Sequence, residues 1–243
     1  MIDYNQLSQE IIQYRRDLHQ IPELGFYVYK TSAYVQNILA GLACEVEQIV
    51  KTGLIAYFDF GREETVAFRA DMDALPIQEE TGLPYASTHE GCMHACGHDG
   101  HMAGLLGFAR VLDDYKRNNV QMPCNALLLF QPAEEIFEGS KDMVENGLLK
   151  NPKPDVALAT HVVVGRIPIG TYMYNSKDTM MYSVDGFKIT AKGKGSHGAY
   201  PHVGIDPINI GAHIHLALQE LVARESDPSK AVALTVGKFQ AGT

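Results

Sequence analysis

Ala126-Leu127-Leu128-Leu129-Phe130 runs directly into Gln131-Pro132-Ala133-Glu134-Glu135. Five successive apolar residues read as a strand buried on both faces, as in a sheet covered by helices on each side. Polar residues follow at its carboxyl end. Two other segments are built the same way: Thr65–Ala70 leads into Asp71-Met72-Asp73, and Val156–Thr160 leads into His161. Ligands bind at the carboxyl ends of strands in open α/β sheets. A solvated loop charge is the alternative for any one of these residues; their recurrence at three strand ends favours a single site.

Outward from these strands, helical spacing is clear. Leu7, Ile11, Ile12, Tyr14 and Leu18 predict a helix over residues 5–20, ended by Pro22 and Gly25. A second helix is expected from Thr31 to Leu42, capped by Thr31 or Ser32. The β-rich runs Ile55–Phe60 and Thr65–Ala70, split by Gly61-Arg62-Glu63-Glu64, predict a hairpin. Met102, Leu105, Leu106, Phe108, Ala109 and Leu112 mark an amphipathic helix from His101 to Lys116. Gly139–Asn146 reads as a helix stopped by Gly147. Strands alternating with helices define an α/β fold. The pattern changes near residue 180. Tyr182–Lys192 alternates apolar and polar residues as a one-faced strand does. A helix from Pro207 to Arg224, capped by Asp206, and a strand Val232–Phe239 complete a smaller layer.

The chain has 243 residues, 46% hydrophobic and 20% charged, with a net charge of −9. That is the composition of a globular protein. Without a basic stripe, neither nucleic acid nor an anionic membrane is an expected partner. Met1-Ile2-Asp3-Tyr4 lacks the basic and apolar regions of a secretory signal, and no run of about 18 apolar residues occurs. Cys44, Cys92, Cys96 and Cys124 are read as reduced thiols of a cytoplasmic protein, with a Cys92–Cys96 disulfide as the alternative.

His94-Ala95-Cys96-Gly97-His98-Asp99-Gly100-His101 places a thiol, three imidazoles and a carboxylate within eight residues. This donor mixture suits a transition metal better than Ca²⁺ or Mg²⁺. The alternative is a small buried thiol beside surface histidines. Glu134 and Glu135 add a division of labour. In extended backbone, successive side chains point to opposite faces, so one carboxylate can hold metal while the other faces substrate. Amide hydrolysis needs both. A metal lowers the pKa of bound water from about 15.7 toward about 7, and a free carboxylate moves the proton to the leaving amine.

Five stretches give these readings a family context. They are Asp17-Leu-His-Gln-Ile-Pro-Glu-Leu-Gly25, Arg69-Ala-Asp-Met-Asp-Ala-Leu-Pro76, Met93-His-Ala-Cys-Gly-His-Asp-Gly-His101, Phe130-Gln-Pro-Ala-Glu-Glu135 and Gly195-Ser-His-Gly-Ala-Tyr-Pro-His202. In these the chain resembles the M20 peptidase family. The resemblance is to its branch of N-acyl amino acid amidohydrolases, hippurate hydrolases, auxin-conjugate hydrolases and N-acetyldiaminopimelate deacetylases. It implies a three-layer αβα exopeptidase-like catalytic domain over residues 1–181, the first part of a discontinuous domain. Residues 182–243 would be part of an α+β lid that forms homodimers. It further implies two divalent ions (Zn, Mn, Co or Ni) with Cys96, His98, Glu135 and His161 as ligands. Glu134 would be the general base and Asp73 an acidic support behind the metals. His197 would be a lid histidine that reaches the partner's site and steadies the oxyanion. The implied substrate is a small N-acyl amino acid.

Asp71 and His202 receive no role. His94, Asp99 and His101 are open between supporting groups behind the metal, helix caps and surface side chains. Gly193-Lys-Gly195-Ser-His-Gly198 has the glycine pattern of a dinucleotide loop, but Pro201 and further loop follow instead of a helix. Relatives of this kind continue past the point matching Ala241-Gly242-Thr243, with the rest of the lid and a last metal-binding histidine. The 243 residues alone are therefore expected to be weakly active and poorly stable. Two other readings stand beside the amidohydrolase: a thiol enzyme with Cys96 as nucleophile and His98 as base, and a non-catalytic chain that binds metal or pairs through a lid strand.

Overall fold

The computed structural model describes residues 1–165, 167–174, 181 and 183–242. They form two compact units, Met1–Thr171 and Tyr172–Thr243. The first is built on a five-stranded sheet of β1 (Glu45–Ile49), β2 (Gly53–Phe58), β3 (Thr65–Asp71), β4 (Asn125–Gln131) and β5 (Val156–Ala159), in the order β1-β2-β4-β3-β5. Every residue of β4 is buried, as its unbroken apolar run demands. It pairs antiparallel with β2 and parallel with β3, and β3 pairs parallel with β5.

The expected hairpin of residues 55–60 and 65–70 does not form, because β4 lies between β2 and β3. The turn joining them is held by a side chain instead of a ladder. Asn125 Oδ1 accepts the N–H groups of Phe60 and Arg62, and its amide donates to the Arg62 carbonyl. Burial also differs in β5: all four residues are exposed. It is an edge strand, and among the described residues nothing pairs with its outer side.

Helices cover both faces. Leu54, Ala56, Phe58, Ala126, Leu128 and Phe130 pack against α1 (Tyr4–His19), α2 (Tyr29–Leu39) and α3 (His98–Arg117). On the opposite face Ile55, Ala67, Leu127 and Leu129 meet Met143 of α4 (Gly139–Glu145) and Leu148. The alternation along β2 and β4 sorts these two sets. Fully burying each such Leu, Ile or Phe contributes roughly 1.5–3 kcal/mol. α2 starts before the expected cap. Thr31 lies inside it, and its N–H and hydroxyl both bond the Glu23 carboxylate, at 2.9 and 3.0 Å.

In the second unit α5 (Pro207–Glu220) starts as expected. Asp206 accepts the N–H groups of Ile208 and Asn209, with Pro207 first in the helix, and a π-helical turn continues it over Leu221–Glu225. The strands expected over 182–192 and 232–239 do not form at 183–192 or 232–239; Tyr182 lies outside the described residues. Alternation gives a segment a strand's faces, but a strand also needs a hydrogen-bonded neighbour. Here the described pairing is one bridge, Lys194 to Ile205. A 3-10 turn at Pro201–Val203, not a helix, follows the glycine-patterned loop. Among the described residues all four cysteines are free thiols, and no helix is long and apolar enough to cross a membrane.

Candidate metal centre

Because β3, β4 and β5 are mutually parallel, their carboxyl ends fall on one edge of the sheet. Asp71-Met72-Asp73, Gln131–Glu135 and Thr160-His161 leave from that edge. The fourth contribution is the turn before α3. Gly97 is in the left-handed region, with φ of 87°. A side chain there would also run into Val162 Cγ2. Glycine thus allows the chain to reverse between Cys96 and His98 while Val162 packs on the turn.

Three overlapping groups of ligand atoms lie within 4.8 Å of one another: Cys96, His98 and His161; Asp71, His98 and His101; and His98, Glu134 and Glu135. His98 is common to all. Its Nδ1 bonds the Asp73 carbonyl at 2.7 Å, so Nε2 faces the cluster. From Nε2, Glu135 Oε1 is 3.7 Å away and Glu134 Oε2 3.8 Å. Cys96 Sγ and His161 Nε2 are 3.5 Å apart. Asp73 works from behind: its two carboxylate oxygens accept the N–H groups of Glu134 and Glu135, at 2.9 and 3.1 Å.

One expectation is corrected here. Glu134 and Glu135 do not point to opposite faces. They lie in a turn rather than extended backbone, closed by Phe137 N–H on the Glu134 carbonyl. Ala133 and Phe137 bracket it in the left-handed region, with φ of 56° and 60°. Both carboxylates consequently reach His98.

The cluster's chemistry fits a cation. His98 Nε2 and Glu135 Oε1 are buried without hydrogen-bond partners. Leaving one such group unsatisfied costs about 1–3 kcal/mol, and a cation between them would satisfy both. A thiol, two imidazoles and carboxylates form a donor set for a transition metal. Burial lowers the pKa of His98, which keeps its imidazole neutral and able to ligate. Burial, followed by the Glu135 carboxylate, pushes the Cys96 thiol up to about 12. That disfavours a free thiolate nucleophile, whereas ligation to a cation deprotonates a thiol outright. Burial raises Glu135 and takes Asp73 to about 6, the latter against the pull of its two N–H bonds.

His94, Asp99 and His101 are all buried, so the surface reading fails for each. Asp99 Oδ2 accepts from Arg15 Nε at 2.9 Å and bonds His19 Nδ1 at 2.7 Å. Asp71 bonds His101 Nδ1 at 2.6 Å. Burial opposes the Asp71 carboxylate, but the bond to His101, followed by the neighbouring His98 ring and Arg69 guanidinium, holds it below the usual range. His94 has no partner on either nitrogen, and burial takes its pKa down to about 4. The Glu23-Leu24-Gly25 stretch also supports the site in a way its sequence did not suggest. The Glu23 carbonyl accepts Ala74 N–H at 2.8 Å and the Gly25 carbonyl accepts Ala133 N–H at 3.1 Å. It thereby ties the Asp73 turn to the loop bearing Glu134. His197 belongs to the second unit, where its Nδ1 accepts Ala199 N–H at 3.1 Å. His202 lies in the 3-10 turn of that unit.

Soft and borderline donors at the carboxyl ends of parallel strands define a candidate divalent-metal site on an α/β scaffold. The chain belongs to the peptidase family M20/M25/M40, whose profile matches residues 67–210; a peptidase dimerisation domain matches residues 181–243. N-acetyl-L-cysteine deacetylase of Bacillus subtilis is 40% identical over all of this chain and 57% of that protein. N-acetyldiaminopimelate deacetylase of Geobacillus thermodenitrificans is 40% identical over 94% of this chain and 60% of that protein. The chain thus spans less than two thirds of the length of either relative. Among solved structures, Bacillus subtilis YXEP, a dinuclear metal-binding peptidase of the M20 family, aligns with a TM-score of 0.60 and 38% identity. That alignment covers 65% of this chain and 44% of YXEP.

Proposed function

We propose that the protein is a metal-dependent amidohydrolase that cleaves the amide bond of N-acyl amino acids into a carboxylate and an amine. The observation that carries this reading is the buried, unpartnered pair His98 Nε2 and Glu135 Oε1, 3.7 Å apart. The deacetylase relatives support the substrate class. Cys96, His98, Glu135 and His161 would hold two divalent ions such as Zn, Mn, Co or Ni. When bound, these ions supply Lewis acidity, which makes water acidic and polarises the amide carbonyl. Glu134 takes the proton from the attacking water and delivers it to the leaving nitrogen as the C–N bond breaks. Asp73 fixes both glutamates through their N–H groups.

Residues 1–181 would form the metal-binding part and residues 182–243 the part that pairs with a second copy in a homodimer. His197 would steady the developing oxyanion across that interface. A cytoplasmic setting accords with four unpaired thiols.

The test is elemental analysis after extensive dialysis. The protein should retain Zn, Mn, Co or Ni, and a Cys96→Ser, His98→Ala double variant should lose it. Undiminished metal in the double variant would remove this site. Full-length protein should hydrolyse one or more N-acetyl, benzoyl, indoleacetyl or succinyl amino acids, and EDTA should stop it. Activity that survives complete chelation would favour the thiol mechanism.

A further inference from the structure

Val162, the residue after His161, donates its backbone N–H to His101 Nε2 at 2.9 Å. A backbone N–H only donates, so this ring nitrogen is the acceptor and carries no proton. The proton of neutral His101 therefore sits on Nδ1, which donates to Asp71 Oδ1 at 2.6 Å. Asp71 Oδ2 is held by Arg69 at 2.9 Å, and Arg69 Nε donates to Gln131 Oε1 at 2.9 Å. With both nitrogens engaged, His101 has no lone pair left for a metal, although Asp71, His98 and His101 form one of the close groups. At the other end of Val162, the carbonyl bonds His161 Nδ1 at 2.6 Å. That leaves His161 Nε2 facing Cys96 Sγ.

We propose that His101 is a positioning residue: locked in its Nδ1–H tautomer by Asp71, it grips Val162 by the N–H and so aims His161 at the metal centre. The inference rests on the reading of Cys96, His98 and His161 as ligands. Two contacts reinforce the grip. The rings of His101 and His161 meet edge to face with centroids 4.5 Å apart, and the missing side chain of Gly97 gives Val162 its space. Groups that orient a ligand in this way change metal affinity by about 10–100-fold when removed.

Competition titration of Zn²⁺ and Co²⁺ into the full-length protein tests it. His101→Phe keeps a ring against His161 but removes both hydrogen bonds, and should weaken binding about 10–100-fold. His101→Gln can place its amide oxygen near the Nε2 position and accept from Val162, so it should recover most of the loss. Asp71→Asn, which no longer holds the proton on Nδ1, should weaken binding in the same direction. The Co²⁺ ligand-field bands should shift in His101→Phe while the thiolate-to-cobalt band stays. Thermal melts in chelator separate folding from ligation, and Gln and Asn variants decide the matter if the Phe variant does not fold. Wild-type affinity in His101→Phe, or equal loss in Phe and Gln, overturns the proposal. A Cys96→Ser variant with unchanged affinity and spectrum would instead defeat the metal-centre reading.

Discussion

Glu134 and Glu135 stood out in the sequence as a candidate pair because two adjacent carboxylates follow a buried strand, and the structure brings both near His98. Their arrangement was not legible, because it depends on a turn that Ala133 enters with positive φ. The turn brings both side chains to His98, and only their chemistry separates them. Glu135 has the buried, unpartnered oxygen; the proposed function therefore assigns proton transfer to Glu134. In full-length protein, Glu134→Gln should keep its metal and lose roughly 10²–10⁴-fold in kcat. Metal analysis and steady-state rates check this together, since loss of metal would mean the two roles are exchanged. Gly139 tests the turn from outside. Its N–H bonds the Ala133 carbonyl at 3.1 Å, and an added methyl would collide with the Pro132 carbonyl oxygen, a backbone atom. Gly139→Ala should therefore destabilise by about 1–3 kcal/mol and reduce metal content. A denaturation midpoint equal to wild type would show that the loop yields freely. Asp71 with His101, and Asp99 with His19, were invisible for a different reason. Each pair is far apart in sequence, and neither residue type names its partner.

Elements were read best where one rule sufficed. β4 followed from an apolar run, α3 from helical spacing and α5 from Asp206-Pro207. Pairing between elements is non-local, so β2 and β3 looked like a hairpin until β4 came between them. The segment over residues 76–93 has little regular structure, yet it is strapped to the end of α1. Thr88 N–H and hydroxyl both donate to the Gln20 carbonyl, at 3.0 and 2.6 Å, and His89 Nδ1 bonds the Pro22 carbonyl at 2.6 Å. His19 joins this strap to α3, between Asp99 and Glu79 Oε1 at 3.3 Å. The Asp99 hydrogen bond, against the opposing effect of burial, raises the His19 pKa above its ordinary 6.5. A raised pKa means that the folded state favours charged His19. Its contribution to stability is complete below the unfolded value and fades as pH rises through the folded one. His19→Gln should consequently lower the Tm more near pH 6 than at alkaline pH, where the charged form is lost. Equal losses at the two pH values would show that packing, not charge, is what His19 supplies.

The whole molecule divides into a unit with the metal-ligand chemistry and a unit matched by a peptidase dimerisation domain. No ligand-like cluster among the described residues includes His197, which belongs to the second unit. A symmetric dimer gives such a residue a use, because each copy can complete the other's site. The consequence is testable by complementation in full-length protein. A His197→Ala subunit retains Glu134, and a Glu134→Gln subunit retains His197. If His197 acts across the interface, the hybrid has one site with both groups and one with neither. If it acts within its own subunit, both sites of the hybrid lack one group. Random exchange makes half of the dimers hybrids, each with one working site of two, so activity should recover to roughly a quarter of wild type. Subunit exchange must be verified independently, for example by mass spectrometry of differently tagged copies. With exchange complete, activity no higher than the sum of the two parents would place His197 in its own subunit's chemistry or outside the chemistry altogether.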